Sequence, residues 1–185
     1  MRFDHDQPGA LNSDETRENL GPVGINLFKK GGLPLWLATV AGVGLFPLAP
    51  GTAGSAAACL AFFFSQSFGL SFHLALLALT FTVGVWASGA SEGAFGKSDD
   101  GRIVIDEVVG QWIALVPHFF LAAPFVPLVV TAFVAFRVFD IAKPGPVRWA
   151  ERRFRGGLGV MADDVVAGGF AALTVGAVFW LWSVM

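Results

Sequence analysis

Three long stretches of this sequence carry no charged side chain: Gly31 to Ser91 (61 residues), Val108 to Phe136 (29) and Val165 to Met185 (21). A helix that crosses a bilayer needs roughly 20 mostly apolar residues. The stretches therefore have room for four or five helical crossings, some of them short or re-entrant. Soluble domains are about 45–50% apolar and about 25% charged, whereas this chain is 55% hydrophobic and 14% charged. An ordinary soluble domain is excluded, and an all-α polytopic membrane bundle is expected.

Breaks within the stretches set the helix count. Leu33 to Phe46 is apolar but short, and runs of about 10–14 residues are more often interfacial, buried or re-entrant than spanning. Pro47 to Ser55 interrupts it. Ser67 to Ser71 reads as a tight turn between two antiparallel helices, and Pro117, Pro124 and Pro127 divide the second stretch into two more. Val165 to Met185 supplies the last helix, with Trp180 and Trp182 near its end where an aromatic belt would hold them. Residues 1–32 hold nine charges without apolar periodicity and read as a disordered or interfacial arm, leaving 33–185 as one membrane domain.

All 12 Lys and Arg residues fall in the arm, in the Glu92–Glu107 segment or in the Arg137–Asp164 segment. Basic residues accumulate on the cytoplasmic side, so the three segments, read as loops, are expected to face the cytoplasm together. They bring Asp99, Asp100, Asp106, Glu107, Asp140, Asp163 and Asp164 to one edge of the bilayer. Acids there are costly unless paired, metal-bound or functional, although loop charges are commonly just solvated. Hard oxygen ligands of this kind suit Mg²⁺, which uses one or two carboxylates together with phosphate oxygens and water.

Three patterns bear on that choice. Asp106-Glu107 interrupts an apolar sequence on both sides. Arg137, Asp140 and Lys143 recur at i, i+3 and i+6, which on a helix either forms an ion-pair ladder or sets two cations around a metal-binding acid. Asp163-Asp164 follows the glycines of Gly156 to Gly159 at the expected start of the last helix, where first-turn acids favour the dipole. Ahead of these, Pro50 to Ser55 precedes a helix, and its amides and the Thr52 hydroxyl suit an anion, with plain capping by Thr52 or Ser55 as the other reading. His5, His73 and His118 lie away from the acids, and Cys59 sits alone in an apolar run, so a histidine or cysteine nucleophile is not expected.

These segments, Gly44 to Ser55, Asp99 to Ile113 and Phe136 to Gly168, resemble in order and spacing the signature blocks of the bacterial phosphatidylglycerophosphatase A family. The resemblance covers most of the chain after about residue 33. It departs at Asp100-Gly101, where members often have Pro after the first acid, and at Ala162, where a larger aliphatic is common.

The resemblance implies an inner-membrane, Mg²⁺-dependent phosphatase that converts phosphatidylglycerophosphate to phosphatidylglycerol. The matching positions are Pro50, Gly51 and Thr52, then Asp99, Asp106 and Glu107, then Arg137, Asp140, Lys143, Asp163 and Asp164. On that reading Mg²⁺ is held among Asp99, Asp106, Glu107, Asp140, Asp163 and Asp164. Thr52, Arg137 and Lys143 hold the phosphate, and Asp106, Glu107, Asp140 and Asp164 carry the catalysis. The expected partners are the lipid substrate and its membrane, with no nucleic acid. The alternative is a membrane cation transporter or channel with an acidic cytoplasmic vestibule, which predicts ionisable groups in mid-span.

Overall fold

The computed structural model describes residues 23–95 and 100–185, the latter with all side chains and the former with side chains from residue 31 apart from residue 93. Among these residues seven α-helices follow one another: α1 (Val23–Ala38), α2 (Pro50–Ser65), α3 (Gly69–Phe95), α4 (Ile105–Leu115), α5 (Phe125–Ala142), α6 (Gly145–Arg153) and α7 (Gly156–Val184). No strand occurs among the described residues. Single 3₁₀ turns at Val43–Leu45, Gln66–Phe68 and Val116–Phe119 join them. The expected all-α class holds.

The breaks fall where the sequence places them. Gly69 adopts φ 78° after the 3₁₀ turn, a left-handed value that glycine tolerates without cost, and the chain reverses there. Gly54 of α2 and Gly84 of α3 both lie against the start of α4, at Val104 and Ile105, so α2 and α3 are antiparallel. Pro117 and Pro124 likewise flank the irregular link before α5. α1 runs across the expected arm boundary, bent at Gly32 (φ 56°) just before Pro34. Its C-terminal end returns to the charged rim, where the Val104 amide donates to the Ala38 carbonyl at 2.9 Å.

Among the described residues three helical runs are long and apolar enough to cross a bilayer: Pro50–Glu92, which takes in most of the α2–α3 hairpin, Phe125–Ala142 and Gly156–Val184. Their outer surfaces are apolar, with Leu60, Phe64, Leu79, Val126, Leu173 and Trp180 all exposed. An apolar surface on this scale needs a lipid solvent. The chain is a membrane protein. The interior holds Phe62, Leu115, Leu128, Phe136 and Val175 at the centre of one cluster and Ile105, Val109, Val160 and Met161 in another.

One expectation fails. The Arg137–Asp164 segment is not a loop: α5 runs on to Ala142, α6 occupies Gly145–Arg153, and α7 already starts at Gly156. Asp163 and Asp164 thus sit two turns inside α7 rather than in its first turn. Glycines on either side of them in α7 let backbones touch. A Cβ on Gly157 would collide with the Val85 carbonyl oxygen of α3, and one on Gly168 with the Gly110 carbonyl oxygen of α4.

That contact supplies a test. Since backbone atoms cannot give way, Gly168→Ala is expected to destabilise the bundle by about 1–3 kcal/mol, the usual cost of overpacking. Gly169→Ala meets open space and should be neutral or slightly stabilising. Thermal unfolding of both variants in detergent checks the contrast.

Candidate active site

Four helices bring their charged residues to one end of the bundle. Asp106 and Glu107 occupy the first turn of α4, where the unpaired amides favour negative charge; the Asp106 carboxylate accepts the Glu107 N–H at 3.0 Å. Asp164 comes from α7, which runs beside α4 because Gly110 and Gly168 allow it. One oxygen from each of Asp106, Glu107 and Asp164 lies within 4.8 Å of the others. Asp106 is 8% exposed and Asp164 2%.

Such a trio cannot be fully ionised without a counter-charge. Burial, reinforced by the neighbouring Glu107 and Asp163 charges, holds the Asp106 carboxyl well above the usual carboxylate range. Burial also pushes Glu107 up to about 8, with Asp164 and Asp140 adding to the effect while hydrogen bonding to Asp106 and the charge of Arg137 oppose it. Three hard oxygen donors of this kind, one of them on a carboxylate whose Oε2 is buried without a partner in the protein, fit a divalent cation.

The cations surround this trio without neutralising it. Arg137, near the end of α5, pairs with Asp140 at 2.8 Å and donates to the Ser55 hydroxyl of α2 at 3.3 Å. Lys143 leaves the expected ladder. Pro144 disfavours further helix, so α5 stops at Ala142 and Lys143 takes a left-handed φ of 42°. Its ammonium turns to Glu151 of α6 at 2.6 Å and to Asp163 at 2.8 Å. Burial alone would lower the Lys143 pKa, but the two hydrogen-bonded carboxylates outweigh it and hold the group above its ordinary value.

The sequence candidates thus separate. Asp106, Glu107 and Asp164 meet; Asp140 lies within electrostatic reach of the last two but is committed to Arg137; Asp163 is committed to Lys143. Asp99 falls outside the described residues, and its neighbour Asp100 holds Arg102 at 2.7 Å. Thr52 sits half-buried in the first turn of α2, and neither it nor Ser55 caps that helix. Gly51 beside it lies directly against Glu107 Oε1, with Arg137 Nη1 also within reach of a Cβ there. His73 belongs to the turn at the opposite end, bonded to the Gly69 carbonyl and Ser65, so it leaves mid-span even less polar than the sequence implied.

Two residues were passed over in the sequence: Glu151 shares Lys143, and Gln111 is wholly buried. Ser55, read there only as a cap, supports Arg137. Gln111 had a signal: it is a polar residue four positions after Glu107 in an otherwise apolar run.

The buried carboxyls give a sign to pH dependence. Between the ordinary glutamate value of 4.5 and about 8, the folded metal-free protein keeps a proton on Glu107 that the unfolded chain releases. Stability must therefore fall as pH rises through that window and level off above it. Metal binding, which needs the carboxylates ionised, should strengthen over the same range. Melting temperatures of chelator-treated protein from pH 5 to 9, with and without Mg²⁺, test both trends.

A sequence profile of the phosphatidylglycerophosphatase A family matches residues 36–179. A phosphatidylglycerophosphatase A of Escherichia coli is 37% identical over 136 residues, covering 74% of this chain and 77% of its own length. That of Haemophilus influenzae is 36% identical over 147 residues, covering 78% and 88%. A Bacteroides thetaiotaomicron protein provisionally named a phosphatidylinositol-3-phosphatase is 40% identical over 158 residues, covering 80% and 95%. No solved structure gives a significant match. With its profile match and its relatives in agreement, the chain belongs to the phosphatidylglycerophosphatase A family.

Proposed function

We propose that this chain is a Mg²⁺-dependent lipid phosphatase that hydrolyses the terminal phosphate monoester of phosphatidylglycerophosphate to give phosphatidylglycerol. In this reading it is a multi-pass protein of the inner membrane, with its charged end facing the cytoplasm. The observation that carries the reading is the meeting of Asp106, Glu107 and Asp164 beside Arg137 at one rim of a lipid-exposed bundle.

Asp106, Glu107 and Asp164 would hold the ion, which supplies Lewis-acid polarisation of the phosphoryl oxygens. The remaining work falls to the protein. Arg137, fixed by Asp140 and Ser55, presents a planar cation to an anionic phosphate. The first-turn amides of Gly51 and Thr52 have no helical carbonyl to bond, which suits that helix start to phosphate oxygens. Lys143 acts at one remove by neutralising Asp163. Hydrolysis breaks the bond between phosphorus and the glycerol oxygen, forms one to a water-derived oxygen and returns a proton to the departing alcohol. An apolar groove of about 340 Å³ reaches Ile105 and Val108, which bracket the acids in α4, and offers a seat for an acyl chain.

The transporter reading is disfavoured because the acids gather at one rim. Substrate choice is the open axis, given the Bacteroides relative's name. Phosphate release by the purified protein from phosphatidylglycerophosphate, phosphatidylinositol 3-phosphate and phosphatidic acid, each with Mg²⁺ or chelator, decides it. Phosphatidylglycerophosphate is expected to be hydrolysed fastest, and only with metal. Asp106→Asn and Asp164→Asn should each lower turnover at least about a hundredfold, or about 2.7 kcal/mol of transition-state stabilisation. Unchanged rates in both would refute the site.

A further inference from the structure

Gln111 has no exposed surface, and neither its Oε1 nor its Nε2 has a hydrogen-bond partner in the protein. A buried amide left in that state is disfavoured, and nearly all buried polar groups find partners. Its surroundings explain the exception. Gln111 follows Glu107 by one helical turn, so the two share a face of α4. α2 and α4 run parallel, with Gly54 against Val104 and the Trp112 indole donating to the Ala58 carbonyl at 3.0 Å. Ser55 lies one turn deeper than Gly51, as Gln111 lies one turn deeper than Glu107. Arg137 reaches in from α5 to Ser55.

Four buried polar atoms of these neighbouring residues lack partners in the protein: Glu107 Oε2, Gln111 Oε1, Gln111 Nε2 and Arg137 Nε. Two accept hydrogen bonds and two donate them. An anion would satisfy only the donors and a cation only the acceptors. Water complements both, and buried waters settle where two to four polar groups converge.

We propose that Gln111 is a positioning residue: through water enclosed between α2, α4 and α5 it fixes the rear oxygen of Glu107 and the Nε edge of Arg137, so that Glu107 presents its other oxygen to the divalent ion. This rests on the metal reading given above. Carboxylate ligands are commonly held by such outer hydrogen bonds, whose loss costs about 10- to 100-fold in metal affinity or activity.

A merely structural role predicts the opposite stability effect, which makes the test decisive. Gln111→Met keeps the bulk and removes the hydrogen-bonding groups. Purified full-length wild type and variant are melted in detergent with chelator and then across a Mg²⁺ titration, and phosphate release is measured in parallel. The metal-free variant should melt at or above the wild-type temperature. Its half-saturating Mg²⁺ should rise about 10- to 100-fold, with kcat falling more than KM rises. A metal-free variant that melts several degrees lower, or fails to fold, overturns the proposal, as does an unchanged half-saturation. If the wild type itself shows no Mg²⁺-dependent stabilisation, the metal reading falls and takes this inference with it. A wild type that responds beside a variant that responds identically removes this inference alone.

Discussion

Mutual repulsion among three closely spaced carboxylates, two of them buried, is the constraint around which the rest of the bundle is arranged. Asp106, Glu107 and Asp164 have oxygens within 4.8 Å of one another, at the edge of an interior filled mainly by aliphatic and aromatic side chains. Buried charges of one sign are tolerated only when protons, cations or hydrogen bonds offset them. Two cations do stand nearby, yet both are already engaged: Arg137 with Asp140, and Lys143 with Glu151 and Asp163. The acids therefore divide into those neutralised within the protein and a trio that is not. A resident divalent ion would complete the trio, and protonation offsets the repulsion when the ion is absent.

Helix contact without side chains makes the trio possible. Asp164 reaches Asp106 because α4 and α7 approach until the Gly110 carbonyl meets Gly168. Glu107 in turn lies over Gly51, where any Cβ would occupy the space of its Oε1. In lipid, where apolar surface gives no drive toward association, close backbone packing through small residues is what binds helices. The same glycines thus set both the cohesion of the bundle and the spacing of its acids.

Much of this was legible in the sequence, and the parts that were not share a cause. Charge-free length gave the helical class, and Gly69 and the prolines gave the breaks, because those signals are local. Asp106-Glu107 between apolar neighbours pointed to buried acids, and the family blocks include the three acids that the fold brings together, Asp106, Glu107 and Asp164. The segment from Arg137 to Asp164 misled because its charges and glycines resemble a loop. Only tertiary contact shows that Gly157 and Gly168 are helical spacers. Likewise, i, i+3, i+6 spacing placed Lys143 with Arg137, whereas Pro144 ends the helix one residue too early for that ladder. Partner choice among several acids and two cations is a long-range property, and spacing along the chain cannot encode it.

The two ion pairs also divide the labour at the rim. Arg137 and Asp140 sit three residues apart on one helix, each with a side chain 15% exposed, and Arg137 is further tied to Ser55 of α2. Lys143 instead joins α6 to α7 through Glu151 and Asp163, and α6 has only nine residues, too few for a helix to be stable by itself. That bridge pins α6 to the bundle and takes the Asp163 charge out of competition with Asp164. A lysine that the sequence offered as a phosphate ligand is instead engaged as a clasp between α6 and α7. Neutralising Asp163 this way lowers the charge that the central trio must bear, since Asp163 is among the groups that oppose ionisation of Asp106.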